Sequence, residues 1–374
     1  MQTYSQRDLL RVAKRVRNTK RSYLLVNPLQ AKHIPVSPTE SLKMMGSFGS
    51  RLAQKYPETR LVIGFAETAT AIGAAIASQF SGCVYLQTTR EDVSDVAEWI
   101  LFSEEHSHAV EQKLCGDGLL DWIPNTKCVI FVDDEISTGQ TLLNMILQLR
   151  ERYPQLGDKQ LVAASLLNRL SPEHERRLLD AGVHCEWLLR LSDIETVEDL
   201  PVQEAAPVQA AAHTFSLQKL DAPSLPDPRR GVSIQTYQTC CEQIARAFWN
   251  AADFDAIYRV IVLGTEECMY PALVLGQLLE RQGLSVRCHA TTRSPIGLCS
   301  APDYPIASGH KLHSFYDSSR DTYLYNLAPC DALLVVSDTP SKDFTALNEL
   351  SAAWELYGYH KLFFIQGGQY VWHL

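Results

Sequence analysis

Apolar and polar positions along this chain follow two rhythms. Short apolar runs bounded by Gly, Asp or Thr read as buried strands at 60–64, 83–87, 128–132, 160–167 and 183–190. Between them, apolar residues three and four apart predict amphipathic helices at Pro38–Lys55, 69–79, 140–152 and 172–181. Strands alternating with helices in this way predict an α/β fold built on a doubly wound parallel sheet. The rhythm breaks at 195–231, where Pro201, Pro207, Pro223, Pro226 and Pro228 stand among Ala, Gln and acids. That stretch reads as a partly extended linker. Alternation then resumes, with helices expected at 237–251, 272–282 and 344–357. Strands are expected at 259–263, Ser285–Ala290, 332–336 and 361–365. The domain reading is therefore 1–194, a linker at 195–231, and a second α/β domain at 232–374. The basic stretch from Arg7 to Arg21 patterns as a helix.

Polar chemistry concentrates at 128–141, Cys-Val-Ile-Phe-Val-Asp-Asp-Glu-Ile-Ser-Thr-Gly-Gln-Thr. A buried strand ends in two carboxylates, Asp133 and Asp134. A turn of small and hydroxyl residues follows, and the helix from Leu142 starts at once. Such a strand–loop–helix aims unpaired backbone N–H groups at an anion, most often a phosphate. The two acids can hold sugar hydroxyls or a hydrated metal ion. No Gly-Lys-Ser/Thr follows the strand, so this is not a P-loop, and the glycine spacing of a dinucleotide turn is absent.

The run resembles the phosphoribosyl-diphosphate (PRPP) signature of type I phosphoribosyltransferases. The match holds at Val129, Ile130, Phe131, Val132, Asp133, Asp134, Ile136, Ser137, Thr138, Gly139 and Thr141; Glu135 departs, standing where an apolar residue is usual. The resemblance implies that Glu135, Ile136, Ser137, Thr138, Gly139, Gln140 and Thr141 cradle a 5′-phosphate. Asp133 and Asp134 would then hold the ribose hydroxyls, directly or through Mg²⁺ and its waters, and favour the cationic sugar formed as pyrophosphate leaves. The segment after Gly64, with Ala66, Glu67, Thr68, Ala69 and Thr70, corresponds to the pyrophosphate loop. Arg90, at the end of the next strand, suits a bidentate grip on the leaving group. His106, His108 and Lys113 lie in a polar stretch where type I enzymes carry a closing loop, and they suit charge neutralisation or proton transfer.

The two halves echo each other. Gly64 and Glu67 recur about 200 residues later as Gly264 and Glu267. Thr88-Thr89-Arg90 recurs as Thr291-Thr292-Arg293, and Asp134 has a counterpart in Asp338. The second copy reads as a degenerate duplicate: its loop is Thr339-Pro340-Ser341-Lys342-Asp343, in which Pro340 removes a donor and no glycine permits close approach. Glu267, Arg293, Ser294 and Asp338 are expected to share a pocket there. Lys32-His33-Ile34-Pro35-Val36, Gly-Phe-Ala-Glu-Thr-Ala-Thr and Thr-Arg-Ser-Pro at 292–295 occur with the signature. Together they are similar to the two-domain phosphoribosyltransferase of bacterial tellurite-resistance and stress-response gene clusters, whose C-terminal part is the TRSP domain.

Bulk composition trims the remaining options. A net charge of −9 disfavours a surface that coats nucleic acid. No apolar run reaches the roughly 18 residues of a membrane span. Ten cysteines with no regular spacing suit reduced thiols and a cytoplasmic location. Three functions fit these observations: a Mg²⁺- and PRPP-dependent transferase acting on a base-like acceptor, a non-enzymatic PRPP or nucleotide regulator, and a scaffold of a biosynthetic complex. Expected partners are PRPP, an acceptor, and a second copy of the chain or other enzymes of such a cluster.

Overall fold

Two six-stranded, mostly parallel sheets organise the protein, seen here in a computed structural model. The structure describes residues 3–16, 22–102, 112–192, 194, 200–210, 212–358 and 361–374. The chain divides into two compact units. The first comprises Met1–Tyr4, Met44–Asp193 and Pro226–Gln238; the second comprises Ser5–Lys43, Ile194–Leu225 and Thr239–Leu374.

The sheet of the first unit runs, from edge to edge, Val232–Ser233, Val84–Gln87, Thr59–Gly64, Cys128–Ile136, Gln160–Asn168, Val183–Arg190. The last five are parallel, and Val232–Ser233 joins Val84–Tyr85 antiparallel. In chain order the parallel strands lie 2-1-3-4-5. The order reverses between Thr59–Gly64 and Cys128–Ile136, and a crevice opens at the carboxyl ends of strands at such a switch point. Val129, Ile130, Phe131 and Val132 are fully buried, as a strand covered on both faces requires. The strand runs on past them, so Asp133, Asp134 and Glu135 belong to it rather than following it.

The second unit's sheet runs Ser216–Lys219, Tyr370–His373, Leu362–Gln366, Ala332–Ser337, Arg259–Gly264, Ser285–Ala290. Its four parallel strands lie 2-1-3-4 in chain order, the same order as the first four of the other unit. Tyr370–His373 and Ser216–Lys219 extend one edge antiparallel. Trp354, Leu350 and Leu347 on the helix Thr345–Glu355 cover one face.

The N-terminal stretch departs from the helix expected between Arg7 and Arg21. Only Gln6–Leu9 is helical, and Arg11–Lys14 is a strand paired antiparallel with Tyr23–Val26. Ala13 is fully buried among Leu24, Val26 and Ile296, so a cross-strand core overrides the local helical preference. Residues 17–21 lie outside the described residues.

Two hairpins were not anticipated. Trp99–Phe102 pairs with Gln112–Cys115 in the first unit, and Gly309–His313 pairs with Asp321–Tyr325 in the second. Each is inserted between the second and third parallel strands of its unit. The likeness of the units extends to individual hydrogen bonds. Thr88 N–H donates to Gly64 O (2.9 Å) as Thr291 N–H does to Gly264 O (3.0 Å). The Thr88 hydroxyl accepts from Ala66 N–H (2.8 Å), and the Thr291 hydroxyl accepts from Glu266 N–H (3.0 Å). Thr89 pairs with Lys113 on the hairpin, and Thr292 pairs with Tyr323.

Candidate active site at the first switch point

Two loops diverge at the first switch point. One leaves Gly64 and enters the wholly buried helix Thr70–Ala77. Gly64 and Gly73 are both close to Tyr85: a Cβ on Gly64 would stand 2.8 Å from Tyr85 Oη, and one on Gly73 would stand 2.8 Å from Tyr85 Cε2. Glycine at both positions lets strand and helix close on this ring. Tyr85 Oη donates to Thr70 O at 2.6 Å and so fixes the end of the loop. Between them, the peptide Ala66–Glu67 is cis. Thr88, holding Ala66 N–H, donates in turn to Gln112 Oε1 at 2.8 Å on the hairpin.

The other loop leaves Ile136 and enters the helix Gln140–Arg152. Gly139 caps that helix at φ +67°, in the left-handed region where glycine carries no steric penalty. A Cβ there would stand 2.7 Å from Leu178 Cδ1, so it would point under the loop towards the helix Pro172–Asp180. Among the described residues, the amides of Ser137, Thr138 and Gly139 have no hydrogen-bond acceptor, and Gln140 N–H has only the Thr138 hydroxyl, at 3.3 Å. Three successive donors at a helix N-terminus form a site for an oxyanion.

The acids join the two loops. Thr68 Oγ1 donates to Asp134 Oδ1 at 2.8 Å, and Asp134 N–H donates to Asp133 Oδ1 at 2.9 Å. Burial pushes the Asp133 carboxyl well above the usual carboxylate range, and the neighbouring Asp134 charge pushes it further. Glu135 is offset by Arg169, whose guanidinium lies 3.4 Å away. This pair accounts for the charged residue at a position where the signature is usually apolar.

The remaining candidates are placed as follows. Arg90 follows Thr88 and Thr89 at the carboxyl end of Val84–Gln87. Lys113 pairs through its backbone with Thr89, while its Nζ bonds Asp92 at 2.8 Å and lies over the Trp99 ring. His106 and His108 lie outside the described residues. Ala69 and Thr70 are buried where the first loop enters its helix, and Ile136 is buried at the strand end; Thr138 is exposed and Thr141 half-buried. Gln140 Nε2 bonds Asn144 along the helix. Sequence reasoning missed Thr88, Tyr85, Gln112 and Arg169. Only Arg169 left a signal, as the charge that Glu135 needs.

At the second switch point, Glu266 is fully buried in the left-handed region at φ +46°. Its Oε2 accepts from Arg293 Nε at 2.8 Å and Arg320 Nη2 at 2.9 Å, and its Oε1 accepts from Ser314 Oγ. Lys32, fully buried, donates to Glu266 O at 2.8 Å and Thr291 O at 2.9 Å. Asp338 accepts from the Tyr316 hydroxyl, which also bonds Thr265 O at 3.1 Å. Arg293 and Asp338 therefore belong to one network, linked through 265–266 and 314–316. Glu267 is buried beside Glu266, and Ser294 joins through its backbone to Thr292 and Tyr325. Sequence reading missed Glu266, Ser314, Tyr316, Arg320 and the role of Lys32.

The chain matches the phosphoribosyl transferase family (PRTase_2) over residues 9–192 and the TRSP domain C-terminal to it over residues 227–353. The chain therefore carries a phosphoribosyltransferase domain followed by a TRSP domain. Adenine phosphoribosyltransferase from Leishmania tarentolae is similar at 18% identity, covering 50% of this chain and 85% of that one, with a TM-score of 0.34. Orotate phosphoribosyltransferase from Aeropyrum pernix is similar at 17% identity, covering 48% and 88%, with a TM-score of 0.32. Adenine phosphoribosyltransferase from Giardia lamblia, complexed with 9-deazaadenine, is similar at 16% identity, covering 50% and 95%, with a TM-score of 0.37. No curated protein matches. Among the described residues no helix is long and apolar enough to cross a membrane.

Proposed function

We propose that the protein transfers ribose 5-phosphate from PRPP to a nitrogen base or base-like acceptor and releases pyrophosphate, making a nucleotide-like metabolite used under stress. The observation that carries this reading is the set of three acceptor-less amides at Ser137, Thr138 and Gly139 beside the Asp133–Asp134 pair. A phosphate and a sugar diol are what such neighbours suit. Thr68 on Asp134 ties the proposed pyrophosphate loop to the proposed sugar acids, as a ligand spanning both would require. Arg90 and Lys113 are proposed to meet the departing diphosphate, and His106 and His108 to neutralise charge or transfer a proton.

Mg²⁺ fits the acid pair. Two adjacent carboxylates, one of them pushed above the usual carboxylate range by burial and its neighbour's charge, suit a cation. Mg²⁺ ordinarily takes one or two carboxylates and completes its shell with water and substrate phosphates. When bound, it would neutralise diphosphate charge. None of the ten cysteines is in a disulfide.

The test is pyrophosphate release from PRPP and Mg²⁺ with a panel of bases and a metabolite extract, with mass identification of the product. Base-dependent release is expected. Tight PRPP binding with no release under any acceptor would favour a regulator in place of an enzyme.

A further inference from the structure

We propose that the second switch point is a donor site plugged from within, so that the chain holds one phosphoribosyl site and not two. The subsite names below rest on the function proposed for the first unit. The shared strand order and the matched hydrogen bonds of Gly64 with Gly264 and Thr88 with Thr291 give the correspondence. It equates Arg90 with Arg293, Asp134 with Asp338, Ala66 with Glu266, and the loop after Ile136 with that after Asp338.

Each subsite is filled by the chain itself. At the counterpart of the pyrophosphate grip, the buried Glu266 carboxylate sits on Arg293 and Arg320 as an anion would. The same position in the first unit is Ala66, which carries no charge. At the counterpart of the sugar acid, the Tyr316 hydroxyl donates to Asp338, as a ribose hydroxyl would. At the counterpart of the phosphate cradle, the loop's own side chains take alternate amides, including those of Ser341 and Asp343, and leave that of Lys342. Thr339 N–H donates to Ser337 Oγ at 3.2 Å, Ser341 N–H to Thr339 Oγ1 at 3.2 Å, and Asp343 N–H to Ser341 Oγ at 3.1 Å. Thr345 N–H donates to Asp343 Oδ1 at 2.9 Å, and Pro340 has no N–H to offer. The first unit's equivalent amides at 137–139 have no such acceptors.

The plug comes mainly from the hairpin. Ser314, Tyr316 and Arg320 all lie in the connection between Gly309–His313 and Asp321–Tyr325. The exposed Asp317 on the same tip is held below the usual carboxylate range by its bonds from Ser319, and to a lesser extent by the Arg320 and Arg293 charges. Lys32 fixes the backbone of Glu266 and Thr291, so the inserted carboxylate is held from behind. A buried ion cluster of this kind gives little net stability over apolar packing of the same volume. Its position on the counterpart of the pyrophosphate grip, beside Tyr316 on Asp338, is therefore better explained by occupancy than by stability.

The test uses the full chain, titrated with PRPP and Mg²⁺ and, separately, with pyrophosphate. Calorimetry gives the stoichiometry, and the ¹⁵N resonance of Arg293 Nε reports locally on the second unit. One equivalent of PRPP per chain and an unmoved Arg293 signal are expected. Two equivalents, or an Arg293 signal that shifts with either ligand, overturn the plug. If nothing binds anywhere while Arg293 stays silent, the proposed function fails and the plug stands. Glu266→Gln removes the internal anion at nearly constant shape. It should admit pyrophosphate at a new site, with affinity at least tenfold above the wild-type second unit, and Arg293→Gln in that background should abolish it. A folded Glu266→Gln protein that ignores pyrophosphate overturns the proposal. Should that variant not fold, the wild-type titration decides alone.

Discussion

Replacing Gly139 with alanine separates two costs that the loop after Ile136 imposes. The residue sits at φ +67°, where an L side chain loses about 1–2 kcal/mol. Its Cβ would also stand 2.7 Å from Leu178 Cδ1, and relieving that overlap in a packed site costs about 1–3 kcal/mol. The total expected loss is about 2–5 kcal/mol, or a fall in Tm of roughly 4–20 °C for a unit of this size. Leu178→Ala isolates the second part. In that background Gly139→Ala should cost only the backbone strain, so a double-mutant cycle should show coupling of about 1–3 kcal/mol. Gly139→Asn should be milder than Gly139→Ala by several tenths of a kcal/mol, because asparagine tolerates this region. Urea titrations of the four cycle members measure every term. A Gly139→Ala protein as stable as wild type would refute the conformational argument, and zero coupling would refute the contact with Leu178. Because the Cβ points under the loop, Gly139 serves the shape of the cradle rather than close approach to a ligand.

Other outcomes follow from the same geometry. Asp133 carries a folded pKa above its unfolded value of about 3.9. Its contribution to stability is therefore present below the unfolded pKa and lost as pH rises through the folded one; Asp133→Asn should stabilise the ligand-free protein at pH 8 and not at pH 3, as urea titrations across that range would show, while turnover falls at least a hundredfold. Tyr85→Phe removes the 2.6 Å bond to Thr70 O and should cost about 1–3 kcal/mol, read by thermal melting. Thr68→Val removes the hydroxyl bonded to Asp134; since a hydrogen bond to a charged group contributes about 1.5–3 kcal/mol, Tm should fall by roughly 3–12 °C, and kcat/KM for PRPP should fall about tenfold. A chain shortened to 232–374 should not fold, because Ala13, Leu24, Val26 and Lys32 supply part of the second unit's core and its switch-point anchor; native-like circular dichroism from that fragment would disprove this.

What could be read from the chain, and what could not, divides along the range of the interactions. The alternation of strand and helix is local, and it gave the parallel strands and most helices of both units. The hairpins stayed hidden because four-residue strands such as Trp99–Phe102 carry too little alternation to stand out. The N-terminal strand stayed hidden because Ala13 is committed by Leu24 and Ile296, the latter far along the chain. Asp133 and Asp134 were visible because their loop is contiguous with them. Glu266 was not, because its carboxylate acquires meaning only from Arg293 and from Arg320 on a hairpin tip.

The repeated Thr-Thr-Arg shows what such echoes measure. In both units the first threonine's hydroxyl takes a loop amide, its own N–H holds the strand glycine, and the second threonine pairs with the hairpin. These are demands of the backbone, and they recur wherever that backbone recurs. The charges around them are under no such demand. Ala66 in the first unit corresponds to Glu266 in the second, and on the proposed plug a single carboxylate at that point takes the place of a ligand anion. Likeness of motif between two α/β units of the same strand order therefore points to where a site would lie. Whether the site is open is decided by residues such as Glu266, Tyr316 and Arg320, which the motif does not contain.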